Sequence, residues 1–167
     1  QTRKELKKIM LEGKVEVNGV KILEQGYSLL LFDVLSLPTI KKQYRLVLTE
    51  FKKFAFEEVV AKDANSKIVK VIGKKILSKG VVQFNMRDGR NVLSKDKVGV
   101  GDSVIINFKD KKIEKVVPIS EKSEVLVIKG KHLGHRGKVV KVSGNEVNVS
   151  LGENEFNLNK NAVMALS

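Results

Sequence analysis

The chain has 167 residues, 42% of them hydrophobic, with 32 Lys plus Arg against 19 Asp plus Glu, a formal net charge of +13. That is enough apolar material for one ordinary domain or about two to three small ones, which excludes a disordered tail. The absence of cysteine excludes disulfides and thiolate metal sites and fits a reducing compartment. A positive field of this size attracts nucleic acid or an anionic membrane surface. Of the two, a membrane span has no support. The longest apolar run, Leu29-Leu30-Leu31-Phe32, stops at Asp33, far short of the roughly 18 residues a spanning helix needs, and reads as a core strand. No signal-peptide pattern is present. The basic excess is shared along the chain: net +4 over residues 1–45, +7 over 46–120 and +2 over 121–167.

At the start, Thr2-Arg3-Lys4-Glu5 has capping-box spacing, and Leu6, Ile9 and Met10 follow on one helical face. Because Gln1 sits directly inside this helix-start signal, an upstream segment is expected. Gly13 is a plausible helix stop. Val15 and Val17 lead into an Asn18-Gly19 tight turn, with Val20 and Ile22 beyond it. Residues 27–37 read as a strand region ended by Pro38. From Tyr44 to about Ser120 the pattern is mostly strands. Tyr44, Leu46 and Leu48 alternate with Arg45, Val47 and Thr49, and Phe51, Phe54 and Phe56 read as core bulk. Residues 57–65 fit a short helix. Residues 68–77 read as a long strand with Gly73 as a bulge. Lys79-Gly80 and Asp88-Gly89 read as hairpin turns, Gly101-Asp102 as a turn entering a strand, and residues 109–112 as a turn into 113–119. Residues 118–123, polar and following a proline, are the best linker.

The most informative stretch comes last. Residues 124–150 alternate apolar and polar positions in three runs, separated by a basic turn and by Ser143-Gly144-Asn145. Three short strands of a small barrel have this pattern. The turn over residues 129–138 sets Gly130, Gly134 and Gly137 among Lys129, Lys131, Arg136, Lys138 and two histidines, His132 and His135. Glycine lets the backbone approach a partner or take positive φ, and the cations suit a polyanion. This pattern resembles the KOW motif, an RNA- and ribosome-associated barrel hairpin. The basic helix, Gly13, Val15-Glu16-Val17-Asn18-Gly19 and the later Phe32-Asp33 resemble the second half of an α-L RNA-binding motif.

In order along the chain, Val15-Glu16-Val17-Asn18-Gly19, residues 32–37, Tyr44-Arg45-Leu46, Arg87-Asp88-Gly89-Arg90-Asn91, Gly101-Asp102-Ser103-Val104 and residues 130–137 resemble the archaeal and eukaryotic-type small-subunit ribosomal protein number four family. The resemblance covers essentially the whole chain. It implies a mainly β fold with a minor α part, in three modules. These are a partial α-L RNA-binding domain at 1–43, a central β-barrel-like domain at 44–120, and a small KOW-type barrel at 121–167. Two features depart from the family pattern. The family's basic N-terminal segment and first helix are missing ahead of Gln1, and Phe51-Lys52-Lys53-Phe54 stands where a glycine-and-arginine turn is usual.

The implied function is that of a structural constituent of the small ribosomal subunit, in the cytoplasm, with small-subunit ribosomal RNA and neighbouring ribosomal proteins as partners. No cofactor, metal, membrane or small-molecule substrate is expected. Lys and Arg neutralise phosphates and release counterions, and folded RNA is read through backbone shape and unpaired bases. With no Trp and two Tyr, phosphate and sugar contacts are expected to outweigh base stacking. The candidate RNA-binding residues are Arg3, Lys4, Lys7 and Lys8 on the helix, and Lys14 after it. Lys41, Lys42 and Arg45 follow, then Arg87 and Arg90 around the Asp-Gly turn. Lys131, His132, His135 and Arg136 in the terminal turn complete the set. His132 and His135 alone fall short of the three or four ligands zinc takes. Catalysis has little support: there is no cysteine nucleophile, no phosphate-loop or nucleophile-elbow pattern, and Asp88 and Asp102 are explained by turn chemistry. The alternatives are a transcription or translation factor whose KOW-like barrel grips a protein partner, and an RNA-modifying enzyme, for which no catalytic domain is visible.

Overall fold

The computed structural model describes residues 2–61, 63–77 and 80–166. Among them it contains one α-helix, α1 (Arg3–Leu11), and fifteen strands. The fold is mainly β, as the alternating patterns require.

The strands form three five-stranded sheets. The first comprises β1 (Glu16–Val17), β2 (Val20–Lys21), β3 (Val34–Leu37), β4 (Lys42–Leu48) and β5 (Phe54–Glu58), in the order β2-β1-β3-β4-β5. The second comprises β6 (Ser66–Ile76), β7 (Val82–Met86), β8 (Asn91–Ser94), β9 (Ser103–Asn107) and β10 (Ile113–Val117), ordered β10-β9-β6-β7-β8. The third comprises β11 (Glu124–Val127), β12 (Arg136–Ser143), β13 (Glu146–Leu151), β14 (Asn154–Asn159) and β15 (Val163–Ala165), ordered β14-β13-β12-β11-β15. By compactness the chain divides into two units. Unit 1 is Gln1–Leu48, Phe54–Lys67 and Asn107–Asp110; unit 2 is Thr49–Lys53, Ile68–Ile106 and Lys111–Ser167. The third sheet and most of the second thus lie in unit 2, with Ser66 and Lys67 of β6 and Asn107 of β9 in unit 1. Position 43/44, where the sequence pattern changes, lies inside β4, which pairs antiparallel with β3 from Leu37↔Lys42 to Val34↔Arg45.

In unit 1, both halves of the capping box form: Glu5 N–H donates to Thr2 Oγ1 at 3.4 Å, and Thr2 N–H donates to Glu5 Oε2 at 3.0 Å. The helix ends as its sequence requires, with Gly13 at φ +66° just past the Glu12 cap. Met10 is buried with Val15, Val17 and Ile22, and Ile9, Leu29, Leu35 and Leu37 pack against them. Asn18 and Gly19 both have positive φ, the geometry of a type I′ hairpin between β1 and β2.

A buried polar knot fixes this unit. Asp33 Oδ1 accepts from Asn18 Nδ2 at 2.8 Å and from Lys67 Nζ at 2.8 Å, while Asp33 Oδ2 accepts from the Leu30 N–H at 2.8 Å. Asn18 Oδ1 in turn accepts from Val34 N–H at 3.0 Å. This knot explains one departure from the expected strands. Residues 27–33 are not a strand. Phe32 takes φ +65°, and the Leu30 amide turns onto the Asp33 carboxylate, so the extended chain resumes only at Val34.

Two further corrections concern the first sheet. Residues 57–65 are not a helix: β5 runs to Glu58, paired from Leu48↔Phe54 to Tyr44↔Glu58, and only Asp63–Asn65 forms a 3-10 turn. Phe51, Phe54 and Phe56 are not core. They are 85%, 64% and 50% exposed, because β5 is the sheet's edge and Phe54 and Phe56 alternate onto its uncovered face.

In unit 2, Val69, Val71, Phe84, Met86, Val92, Val98, Val104 and Ile106 form one core cluster. Val117, Ile119, Val125, Val127, Val139, Val147, Val149, Val163 and Ala165 form another, with Ile68 and Ile105 packed against it. Ile68 and Ile105 belong to the second sheet, so the second and third sheets share buried apolar surface. Each fully buried valine contributes about 1.5 kcal/mol or more. The pairing of β6 with β7 shifts register between Val71 and Gly73, a bulge at the expected glycine. Gly89, at φ +84°, closes the Asp88-Gly89 turn with its N–H on the Met86 carbonyl. The expected Lys79-Gly80 turn includes a residue outside the described ones. Ile119, in the expected linker, is buried and donates its N–H to Asp102 Oδ1 at 3.3 Å. Among the described residues, four lysines occupy left-handed positions at turns: Lys41, Lys52, Lys111 and Lys122, with φ between +53° and +69°.

Candidate nucleic-acid interface

The exposed face of α1 carries Arg3, Lys4, Lys7 and Lys8, all solvent-accessible. The capping box and the buried Met10 hold the helix; the 3.6-residue period turns Lys4, Lys7 and Lys8 away from Leu6, Ile9 and Met10, while Arg3 is exposed at the first helical position. Lys14 follows, but its ammonium lies 2.6 Å from Glu12 Oε2. That hydrogen bond holds the Glu12 carboxyl below its usual range and leaves Lys14 less free charge than the helix lysines.

The second group, Lys41, Lys42 and Arg45, divides three ways. Lys41 caps a 3-10 turn over Pro38–Ile40 in the left-handed conformation, and its side chain is exposed. Lys42 pairs across the β4–β5 ladder with Glu58 at 3.3 Å, which raises its pKa. Arg45 turns inward: its Nη2 donates to the carbonyls of Asp63 and Ser66. It clamps the segment after β5, a placement that strand alternation alone does not reveal.

At the Asp88-Gly89 turn, Arg87 and Arg90 are exposed. Asp88 Oδ1 accepts from the Arg90 N–H at 3.1 Å, and Arg90 Nε lies 3.5 Å from Asp88 Oδ2. The carboxylate therefore fixes the turn that presents both guanidinium groups.

In the terminal turn, Lys131 and Arg136 are exposed while His132 and His135 are half-buried. The His132 ring packs on Phe156 with centroids 4.2 Å apart and meets the His135 ring edge-on at 6.0 Å. His135 Nδ1 lies 3.2 Å from the His132 carbonyl. The imidazoles thus brace the turn from within, and its outer rim is Lys129, Lys131 and Arg136. Gly134 has φ +89°, and a Cβ there would lie 2.0 Å from the Thr49 carbonyl oxygen. At Gly134 glycine is thus a packing requirement, whereas a Cβ at Gly130 would meet open space. Among the described residues no group of three or more His, Asp or Glu side chains is arranged to hold a metal ion.

Sequence reading missed the lysines that fold inward. Lys70 is buried, and its Nζ donates to the Lys160 carbonyl at 2.7 Å and to the Val163 carbonyl. Burial, and then the neighbouring Lys160 and Arg87 charges, push its pKa down to about 8. Asp102 is the counter-charge nearby: its Oδ1 lies 3.7 Å from Lys160 Nζ, and its Oδ2 accepts from Gly99 N–H at 3.0 Å. The only advance signal is that Lys70 interrupts Val69 and Val71 within an otherwise apolar strand.

Exposed cations are therefore held on a capped helix, on a 3-10 turn and on two glycine-shaped turns, over a mainly β scaffold with no group arranged for metal chemistry among the described residues. Such a distribution of exposed cations sets up a positive field over these surfaces. The chain belongs to the ribosomal S4e family, whose model matches residues 40–113. Among relatives, it is 36% identical over 138 residues to the small ribosomal subunit protein eS4 of Methanocella arvoryzae, covering 83% of this chain and 58% of that protein. It is 30% identical over 142 residues to the eS4 protein of Nanoarchaeum equitans, covering 85% of this chain and 61% of that one. The chain thus spans less than two thirds of the length of these relatives. The crystal structure of the 30S ribosomal protein S4e from Thermoplasma acidophilum superposes with a TM-score of 0.81 at 24% identity, covering 98% of this chain and 85% of that one. That match establishes a shared fold.

Proposed function

We propose that this protein is a structural component of the small ribosomal subunit, in the cytoplasm, and binds ribosomal RNA through its basic helix and turn surfaces. Neighbouring ribosomal proteins are its further partners, and its role is non-enzymatic. The observation that carries this reading is the exposure of Arg3, Lys4, Lys7, Lys8, Arg87, Arg90, Lys131 and Arg136 on ordered elements. Related chains are named as small-subunit proteins. Lys41, Lys42 and Lys14 add charge, Arg45 shapes the backbone beside them, and His132 and His135 set the form of the terminal turn. We read 1–43 as the partial α-L module, 44–120 as the central β module and 121–167 as the KOW-type module.

Phosphate contact by these groups releases counterions. For about six contacts, the binding constant should fall with a log–log salt slope of roughly −4 to −5. The test is gradient sedimentation of a host lysate carrying the tagged natural protein, before and after a high-salt wash. Near-equal stoichiometry with the small subunit that survives the wash supports the proposal. Substoichiometric signal stripped by salt, or migration with polymerase, overturns it in favour of a KOW-bearing factor that binds a protein.

A further inference from the structure

Within unit 1 lies a cleft of about 680 Å³, built from four separated stretches of chain. Glu16 and Gly19 line one side, Ser36–Pro38 and Lys41–Gln43 the next, then Ala61, Ala64 and Asn65, and last Phe108 and Lys109. The last pair comes from the β9–β10 connection, whose segment Asn107–Asp110 belongs to unit 1. Phe108 N–H donates to the Asn65 carbonyl at 2.9 Å, and Lys109 N–H donates to Asn107 Oδ1 at 2.7 Å. The connection is therefore held in place by hydrogen bonds.

Three chemical features converge on this cleft. Lys41, Lys42 and Lys109 line it against the single carboxylate Glu16. Lys42 is paired with Glu58, whereas Lys41 and Lys109 have no carboxylate within ion-pair reach among the described residues. The half-buried Phe108 and the adjacent Pro38 supply flat apolar surface. Gln43 and Ser36 supply hydrogen-bonding side chains. Lys41 adds an independent indication, because it sits at φ +54° as the cap of the 3-10 turn. Glycine or asparagine would take that position at less conformational cost, so the backbone offers no reason for lysine there, and its ammonium does.

We propose that this cleft takes a single unpaired nucleotide of RNA, its base against Phe108 and Pro38 and its flanking phosphates on Lys41 and Lys109. The site rests on the RNA-binding reading above and adds to it a subsite for an extruded base. A cleft of this volume suits a ligand the size of one nucleotide. Amines at the rim around an aromatic plate are what a base with its charged backbone requires. An acidic peptide would use the amines and leave Phe108 without a role.

The test uses the purified chain and two short RNA hairpins, one with a single bulged 2-aminopurine and one fully paired. Bulge binding should exceed that of the paired hairpin and quench the probe. K41G retains the left-handed backbone and K109Q retains length; each should weaken bulge binding by roughly 3- to 10-fold. F108L should weaken it on the order of tenfold and abolish the quench. Because F108L can disturb packing, the two lysine variants stand as independent readouts. If both leave bulge affinity and quench unchanged while the chain still binds the paired hairpin with a steep salt dependence, the subsite is refuted and the general RNA reading stands. If neither hairpin binds, both readings fall. If an acidic peptide displaces the bulged RNA while F108L has no effect, the site belongs to a protein ligand and the proposal is overturned.

Discussion

Replacing Asp33 by alanine tests the polar knot of unit 1 directly. Asp33 receives three hydrogen bonds, from Asn18 Nδ2, Lys67 Nζ and the Leu30 amide, each at 2.8 Å. The side chains of Asp33 and Lys67 are 3% and 0% exposed. Removing Asp33 takes from the buried Lys67 its carboxylate partner, and breaking a buried ion pair costs about 3–5 kcal/mol. The orphaned Asn18 and Leu30 donors add about 1 kcal/mol each at least, and less in sum if water enters the vacated space. The expected loss is about 4–6 kcal/mol, comparable to the whole stability of a marginal domain. Tyrosine fluorescence during urea denaturation is a suitable assay, since the protein has no Trp and its only two tyrosines, Tyr27 and Tyr44, lie in unit 1. The midpoint should fall without a change in slope. Replacing both charges, D33L with K67M, should recover most of the loss. A midpoint shift worth less than about 1 kcal/mol in D33A would refute the claim that this knot holds the unit.

Other outcomes follow from named contacts. Lys70 has a native pKa of about 8 against an ordinary 10.5, so between those values the unfolded chain binds more protons than the native one. Stability should therefore rise as pH climbs through that window, and fall back as pH drops through 8. Denaturation midpoints from pH 7 to 10.5 should show this rise, by up to about 3 kcal/mol, and K70M should flatten it. G134A should cost more than about 2 kcal/mol, because the new Cβ meets Thr49's carbonyl as well as a left-handed backbone. G130A, at φ +90° with open space around it, should cost only about 1–2 kcal/mol; similar melting temperatures for the two would contradict the packing argument. T2A should cost about 1 kcal/mol of helix stability, seen as faster amide exchange at Glu5 and Leu6.

Features written in local chemistry were legible in the sequence. Thr2 with Glu5, Asn18-Gly19, Gly73 and Asp88-Gly89 each specify a cap, turn or bulge through their own covalent geometry, and each is found where its residues lie. Features set by what covers a segment were not. Phe54 and Phe56 alternate as a core strand would, but nothing in their own sequence says that β5 ends its sheet with one face open. Residues 27–33 are apolar enough for a strand, yet the carboxylate of Asp33 captures the Leu30 amide and bends the chain. Lys67 and Lys70 look like surface residues because burial of a lysine depends on partners far away in sequence: Asp33 for one, the Lys160 and Val163 carbonyls for the other. Of the third sheet, β11, β12 and β13 were readable from alternation. β14, with Asn154, Asn157 and Asn159 among its few apolar positions, was hidden by its polarity. For the candidate interface, charge and position were legible, but orientation was not: Arg45 points at backbone carbonyls and the two histidines at Phe156 and each other.

The four left-handed lysines give the molecule a design trade-off. At Lys41, Lys52, Lys111 and Lys122, a glycine would relax the backbone by about 1 kcal/mol or more per position. An engineer selecting only for heat resistance would be led to these turns and would remove four positive charges from their tips. The resulting protein should melt higher and hold polyanions less well. Of the four, Lys41 is among the proposed RNA contacts, so a thermostability screen run without RNA would select against that position.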